Sequence, residues 1–172
     1  IQVVGVDNSL KFLKSLGFSH LDDEKDNNIG IALGGLTNGA TPLEMAAAYG
    51  AIANDGVYIE PTFYTKVVDG NGNTVFEPKQ ESRTVMSASA AYVVKEVLTQ
   101  PVKSGTSTTL AMSGMSVAAK TGTTNNDYDR WMCGFTPYYS AAVWYGYDKS
   151  ETVSGWSLSP AGQIWSGVMK PA

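Results

Sequence analysis

The sequence is poor in the residues on which many sites are built. It has one cysteine, Cys133, so no disulfide can form within the chain and a disulfide-stapled scaffold is excluded. It has one histidine, His20, so a histidine-rich metal site cannot be assembled, and a Ser-His-Asp triad would have to use that residue. No apolar run approaches the roughly 20 residues needed to span a bilayer. No charged-then-apolar leader opens the chain, so any export signal or membrane anchor is expected outside these residues. No cluster of lysine and arginine occurs, and 12 basic against 16 acidic residues leave a net charge of −4. Nucleic acid is not an expected partner.

What is present suits a globular domain or a large piece of one. There are 172 residues, 43% of them hydrophobic, which sets the chain apart from disordered sequences. It starts Ile1-Gln2-Val3-Val4, an apolar run with no methionine, and this reads as a cut through an element.

The order of elements predicts an α+β fold. Asp7 to Phe18 reads as a short amphipathic helix with Asp7 or Asn8 as cap, Leu10, Phe12, Leu13 and Leu16 as apolar face, and Gly17 past its end. His20 to Asn28 reads as a solvated acidic loop. Thr41, Pro42 and Glu44 form the pattern of a capping box with proline at the first helical position, and that helix should stop near Asn54-Asp55-Gly56. Tyr58 to Val68 is β-rich, and Asp69-Gly70-Asn71-Gly72 has hairpin-turn chemistry before Thr74-Val75-Phe76. Ser87 can cap a helix over Ala88 to Leu98, with Pro101 and the loop Ser104 to Ser107 after it. Three strands are expected at Met115–Thr123, Arg130–Thr136 and Ala141–Tyr147, adjacent and antiparallel. A last helix covers Pro160 to Met169, with Ile164, Trp165 and Val168 toward the sheet.

The chemistry concentrates in Ala118-Ala119-Lys120-Thr121-Gly122-Thr123-Thr124. Alternation puts Thr121 and Thr123 on one face of a strand and Lys120 and Gly122 on the other. Two hydroxyls on one face can hold a carboxylate, and Lys120 adds a fixed charge from beneath. Gly122 removes a side chain where a ligand or helix must come close. On an edge strand the free backbone groups can pair with an extended peptide, and the Thr123 N–H suits an oxyanion hole. Thr124 and Asn125 are candidates for the cleft mouth. The bland reading of Lys120 is a surface lysine, and of the threonines simple β-propensity. Cys133 reads as a buried, inert thiol.

Lys-Thr-Gly is a signature of penicillin-binding proteins and active-site serine β-lactamases. Further segments extend the likeness: Ala32-Leu33-Gly34-Gly35, Gly39 to Tyr49, Asn54-Asp55-Gly56 with Pro61, Val102 to Thr106, and Val143 to Asp148. Together they resemble the transpeptidase domain of class A, bifunctional penicillin-binding proteins. The resemblance implies a penicillin-binding protein and serine β-lactamase-like fold, an antiparallel sheet flanked by helices, of which residues 1–172 are the C-terminal half. It implies a peptidoglycan D,D-transpeptidase acting through a serine acyl-enzyme, with stem peptides and β-lactams as ligands and no cofactor. It places the protein on the outer face of the bacterial cytoplasmic membrane. Lys120 and Thr123 would be catalytic; Thr121, Gly122, Thr123 and Thr124 would bind substrate. The family also needs Ser-x-x-Lys and Ser-x-Asn, and neither spacing occurs here. Both are expected on an N-terminal partner segment of the same domain, without which this chain should not acylate. A D,D-carboxypeptidase or β-lactamase, and a non-catalytic muropeptide or β-lactam sensor, are the competing readings.

Overall fold

A computed structural model describes residues 1–154 and 159–171. Helix α1 (Val6–Ser15) is capped at Gly5, two or three residues ahead of the expected cap. Gly5 has φ +88°, and Ser9 Oγ donates back to its carbonyl at 2.9 Å. Asp7 therefore lies in the first turn, where its charge favours the helix N-terminus. At the other end the Gly17 N–H reaches Lys14 O and the Phe18 N–H reaches Leu13 O, a Schellman closure. Gly17 has φ +87°, and a Cβ there would sit 2.1 Å from the Tyr58 hydroxyl. Leu10 and Leu16 are buried as expected, but Phe12 is exposed.

The acidic loop is not simply solvated. Asp26 is 1% exposed and accepts from Asp22 N, Thr37 N and Thr37 Oγ1, which ties the loop to the turn before α2. A short 3-10 segment, Ile29–Leu33, lies between them. Helix α2 (Pro42–Ala53) has the full capping box: Glu44 N donates to Thr41 Oγ1 and Thr41 N to Glu44 Oε2. Its alanines let it pack closely on two sides. Ala48 and Ala51 belong to a core with Leu16, Phe18 and Tyr58. On the other side Ala46 O accepts from Ser140 Oγ, and Tyr49 meets Phe135 edge-on at 6.5 Å.

The segment expected to be a long β-run divides. Strand β1 (Val57–Ile59) pairs with β4 (Ser82–Thr84), and between them β2 (Val67–Val68) and β3 (Thr74–Phe76) form the expected hairpin. Asp69 Oδ1 organises its turn by accepting from the N–H groups of Asn71 and Asn73. Helix α3 (Ala88–Ser104) is capped by Ser87 but runs past Pro101. Burial of Val102 in the sheet's core carries the last turn, and the Pro101 carbonyl is itself used by Gly105 N and Ser107 N.

Strands β5 (Ala118–Thr123), β6 (Asp129–Phe135) and β7 (Ser140–Gly146) form an antiparallel sheet in that order. Its register sets Lys120 opposite Cys133, Thr121 opposite Met132 and Thr123 opposite Arg130. Helix α4 (Pro160–Met169) closes one face with Ala161, Trp165 and Met169, an i, i+4, i+8 row. Trp165 is 0% exposed and donates to Ala141 O at 3.0 Å. Ile164 and Val168, expected toward the sheet, are exposed instead. The architecture is α+β, an antiparallel sheet with α4 on one face and α2 on the other. Among the described residues no helix is long and apolar enough to cross a membrane.

Candidate functional site

Strand β5 changes character along its length. Ala118 and Ala119 are buried, whereas Lys120 and Thr123 are exposed and Thr121 and Gly122 half-buried. It is an edge strand: among the described residues only β6 pairs with it. The register and the core assign its two faces. Ala119 packs with Met132 and Trp165 on the α4 side, so Thr121 and Thr123 share that side. Lys120 and Gly122 lie on the α2 side, with Cys133 and Trp131 as cross-strand neighbours.

Backbone direction follows from the hairpin's last bond. Thr124 N donates inward to Asp129 O at 3.2 Å. By period-two alternation the N–H groups of Thr123 and Thr121 point to the open edge. The Thr121 carbonyl faces that edge too and accepts from Lys120 Nζ at 3.0 Å. Hydroxyls and an ammonium thus bracket an unpaired backbone edge from both faces.

Gly122 does leave room at a close approach, but the neighbour is Trp131. A Cβ on Gly122 would meet Trp131 Cβ at 3.1 Å. A half-open hollow lies beside the α4 face of the sheet. This cavity of about 410 Å³ is lined by Thr106, Thr108, Thr109, Met132 and residues of α4, and Lys120 is not among its lining residues.

Three contacts around β5 were not evident from the sequence. Thr106 Oγ1 is 3.2 Å from Thr121 Oγ1. Arg130 Nη1 donates to Thr123 Oγ1 at 3.4 Å, while Nη2 pairs with Asp127 Oδ1 at 3.2 Å. The Asp129 carboxylate accepts from Thr124 Oγ1 at 2.9 Å and from Trp144 Nε1 at 2.7 Å, locking the hairpin end across three strands. Counting outward from the Thr124–Asp129 turn would have placed Arg130 beside Thr123. The sequence shows the strand but not its register.

Asn125 lies in the short turn Asn125–Asp127, and Thr124 immediately precedes it. Cys133 is 1% exposed, and desolvation pushes its thiol up to about 12, as a buried inert cysteine requires. His20 forms no triad. Its Nδ1 lies 3.1 Å from Glu44 Oε1 and 3.1 Å from Ser19 Oγ, and that hydroxyl donates to Glu44 itself.

A family model described as the penicillin binding protein transpeptidase domain matches residues 3–170. Penicillin-binding protein 1A of Clostridium botulinum (strain Langeland) is 39% identical over 171 residues, 99% of this chain and 21% of the relative. Penicillin-binding protein 4 of Bacillus subtilis is 34% identical over 170 residues, 98% of this chain and 27% of the relative. This chain therefore spans about a fifth to a quarter of the curated relatives it is compared with. The crystal structure of penicillin-binding protein 1A from Haemophilus influenzae superposes with a TM-score of 0.80 at 25% identity, covering 99% of this chain and 31% of that one. The Mycobacterium tuberculosis PonA1 protein in complex with penicillin V gives a TM-score of 0.75 at 27% identity, over 91% of this chain and 47% of that one.

Proposed function

Since the chain belongs to the penicillin-binding protein transpeptidase family, we propose that it is the carboxylate-gripping part of a peptidoglycan D,D-transpeptidase. The nucleophilic serine and its lysine come from a segment of the same domain outside these 172 residues, which hold no Ser-x-x-Lys. The observation that carries the reading is the open edge of β5, where the outward Thr123 N–H lies between the Thr121 and Thr123 hydroxyls and the Lys120 ammonium.

In this reading an extended stem peptide pairs along the edge. Its terminal carboxylate accepts from the Thr121 and Thr123 hydroxyls, and Lys120 balances the charge. Thr124 lines the mouth of the cleft. The serine oxygen, losing its proton to the adjoining lysine, adds to the penultimate D-Ala carbonyl. The carbonyl oxygen becomes an anion, and the Thr123 N–H is one of its donors. The C–N bond then breaks, and D-Ala leaves carrying the transferred proton. The amine of a second stem peptide adds to the ester, gives up its proton and releases the serine, which completes the cross-link. β-Lactams enter by the same first step. The reaction belongs on the outer face of the cytoplasmic membrane, with the anchor supplied by other sequence.

The test is labelling of the complete domain by a fluorescent penicillin. A covalent adduct released by hydroxylamine, and transfer of the acyl group of a D-Ala-D-Ala-ended stem peptide to added D-amino acid exceeding its hydrolysis, are the expected results. Hydrolysis alone points to a D,D-carboxypeptidase or β-lactamase. Reversible binding without an adduct points to a sensor and ends the enzymatic reading. The 172-residue chain alone is expected to stay unlabelled.

A further inference from the structure

Arg130 is a cation that touches a β5 hydroxyl from the neighbouring strand, and the function above gives it no task. It stands opposite Thr123 in a pair that exchanges no backbone bonds, the kind in which facing side chains come closest. Both are on the α4 face, the face of Thr121. Its guanidinium meets Thr123 through Nη1 and Asp127 through Nη2. A guanidinium has five donors in a planar fork, so it can donate side-on to a carboxylate while keeping one of these partners.

Asp127 is a fixed counterion. It follows Asn126 in a tight turn where both residues have left-handed backbones, φ +60° and +58°. The Asp127 carbonyl is pinned by Val153 N at 3.0 Å. Non-glycine residues adopt such backbones at a cost, and they cluster where a side chain must be aimed. The ion pair itself is open, with Arg130 29% and Asp127 52% exposed. A pair of that exposure is weak and readily exchanged. The turn thus holds an arginine next to the hydroxyl of Thr123 without burying or saturating it.

We propose that Arg130 is a specificity residue: a second cation for the carboxylate gripped by Thr121 and Thr123, parked on Asp127 and passed to the ligand when it binds. This rests on the transpeptidase reading. It adds that the preference for an anionic peptide terminus comes from cations on both faces of β5, Lys120 on one and Arg130 on the other. The ligand class is a peptide or β-lactam with a free carboxylate next to the reacting amide.

The experiment compares acylation of the complete domain by benzylpenicillin and by its methyl ester, which differ in one charge. The readout is the ratio of the two second-order rate constants. Arg130→Ala is expected to lower that ratio about tenfold, and Arg130→Lys to lower it less, because a point charge replaces a fork. Asp127→Asn removes the competing anion and is expected to raise it. Equal losses for both probes would make Arg130 a clamp on the turn and overturn the proposal, as would an unchanged ratio. If Arg130→Ala does not fold, Arg130→Gln and Asp127→Asn report the same ratio with the Thr123 contact or the turn retained. Failure of the wild-type domain to label with benzylpenicillin would instead strike the transpeptidase reading, and this role with it. Labelling with an unmoved ratio strikes Arg130 alone.

Discussion

The two ends of the β5–β6 hairpin are built from opposite materials. At one end Ala118, Ala119, Gly134 and Phe135 are buried, and α4 and α2 close over the two faces with Trp165 and Tyr49. At the other end Lys120, Thr121, Thr123, Thr124 and Arg130 carry hydroxyls and charges joined by hydrogen bonds. Packing density at the first end fixes the strand, and the second end is free to present groups that are incompletely satisfied. Substitutions at the dry end should therefore cost stability, and substitutions at the polar end should cost chemistry.

The largest effect is expected at Trp165. It is fully buried and its indole N–H is used by Ala141 O. Trp165→Ala should destabilise the complete domain by about 3–5 kcal/mol, read by denaturant unfolding, since a large cavity and an orphaned carbonyl are left together. While the variant remains folded, its acylation rate should stay near that of wild type. A rate loss larger than the stability loss would break the division.

Glu44 tests whether polarity alone marks function, because it is polar, buried and far from β5 in sequence. Desolvation opposes its ionisation, yet bonds from Thr41 N, Ser19 N, the Ser19 hydroxyl and His20 outweigh that and hold the carboxyl at about 2. The folded value lies below the ordinary one of 4.5. The stabilisation is therefore present above about pH 4.5 and is lost as pH falls toward 2. Glu44→Gln should remove about 2–3 kcal/mol at neutral pH and flatten that acid limb in pH-dependent melts, with acylation unchanged. An acid limb identical in wild type and variant would assign the loss to other carboxylates.

Under the proposed function Lys120→Ala should slow acylation by a carboxylate-bearing β-lactam by about ten- to a hundredfold, the range for a hydrogen bond to a charged group. Stability should change by no more than about 0.5 kcal/mol, as for other exposed substitutions. Stopped-flow acylation and thermal melts on the same samples separate the two. Equal rates would return Lys120 to the role of a surface lysine closing a strand.

How much of this was legible in the sequence depended on the range of the interaction. The capping box of α2, the hairpin at Asp69–Gly72 and the bounds of α4 are local, set by residues within a few positions, and all three were readable. The buried row of α4 was readable only at Trp165. Ile164 and Val168 are as apolar as the residues that are buried, and only the sheet's position selects Ala161, Trp165 and Met169. The end of α3 was misread at Pro101 because the burial of Val102 lies outside local propensity. Asp26 looked like one of several surface acids until Thr37, 11 residues on, supplied its partners. At the candidate site the residue types of β5 were visible, while Thr106 and Arg130 needed loop packing and register.

The finest division lies within β5 itself, between two threonines on one face. Thr121 Oγ1 is met by Thr106 Oγ1 at 3.2 Å, a neutral partner that either donates or accepts. Thr123 Oγ1 is met by Arg130 at 3.4 Å, which can only donate, so the Thr123 proton is left for the ligand. Thr123→Val should therefore weaken carboxylate binding more than Thr121→Val, within about 1–3 kcal/mol for each, read from inhibition constants of a non-acylating carboxylate peptide. Thr→Ser at either position should restore most of the loss, because the hydroxyl rather than the methyl makes the bond. If Val and Ser variants weaken binding alike, β-propensity and packing account for both threonines, and the polar end of the hairpin differs from the dry end in solvation alone.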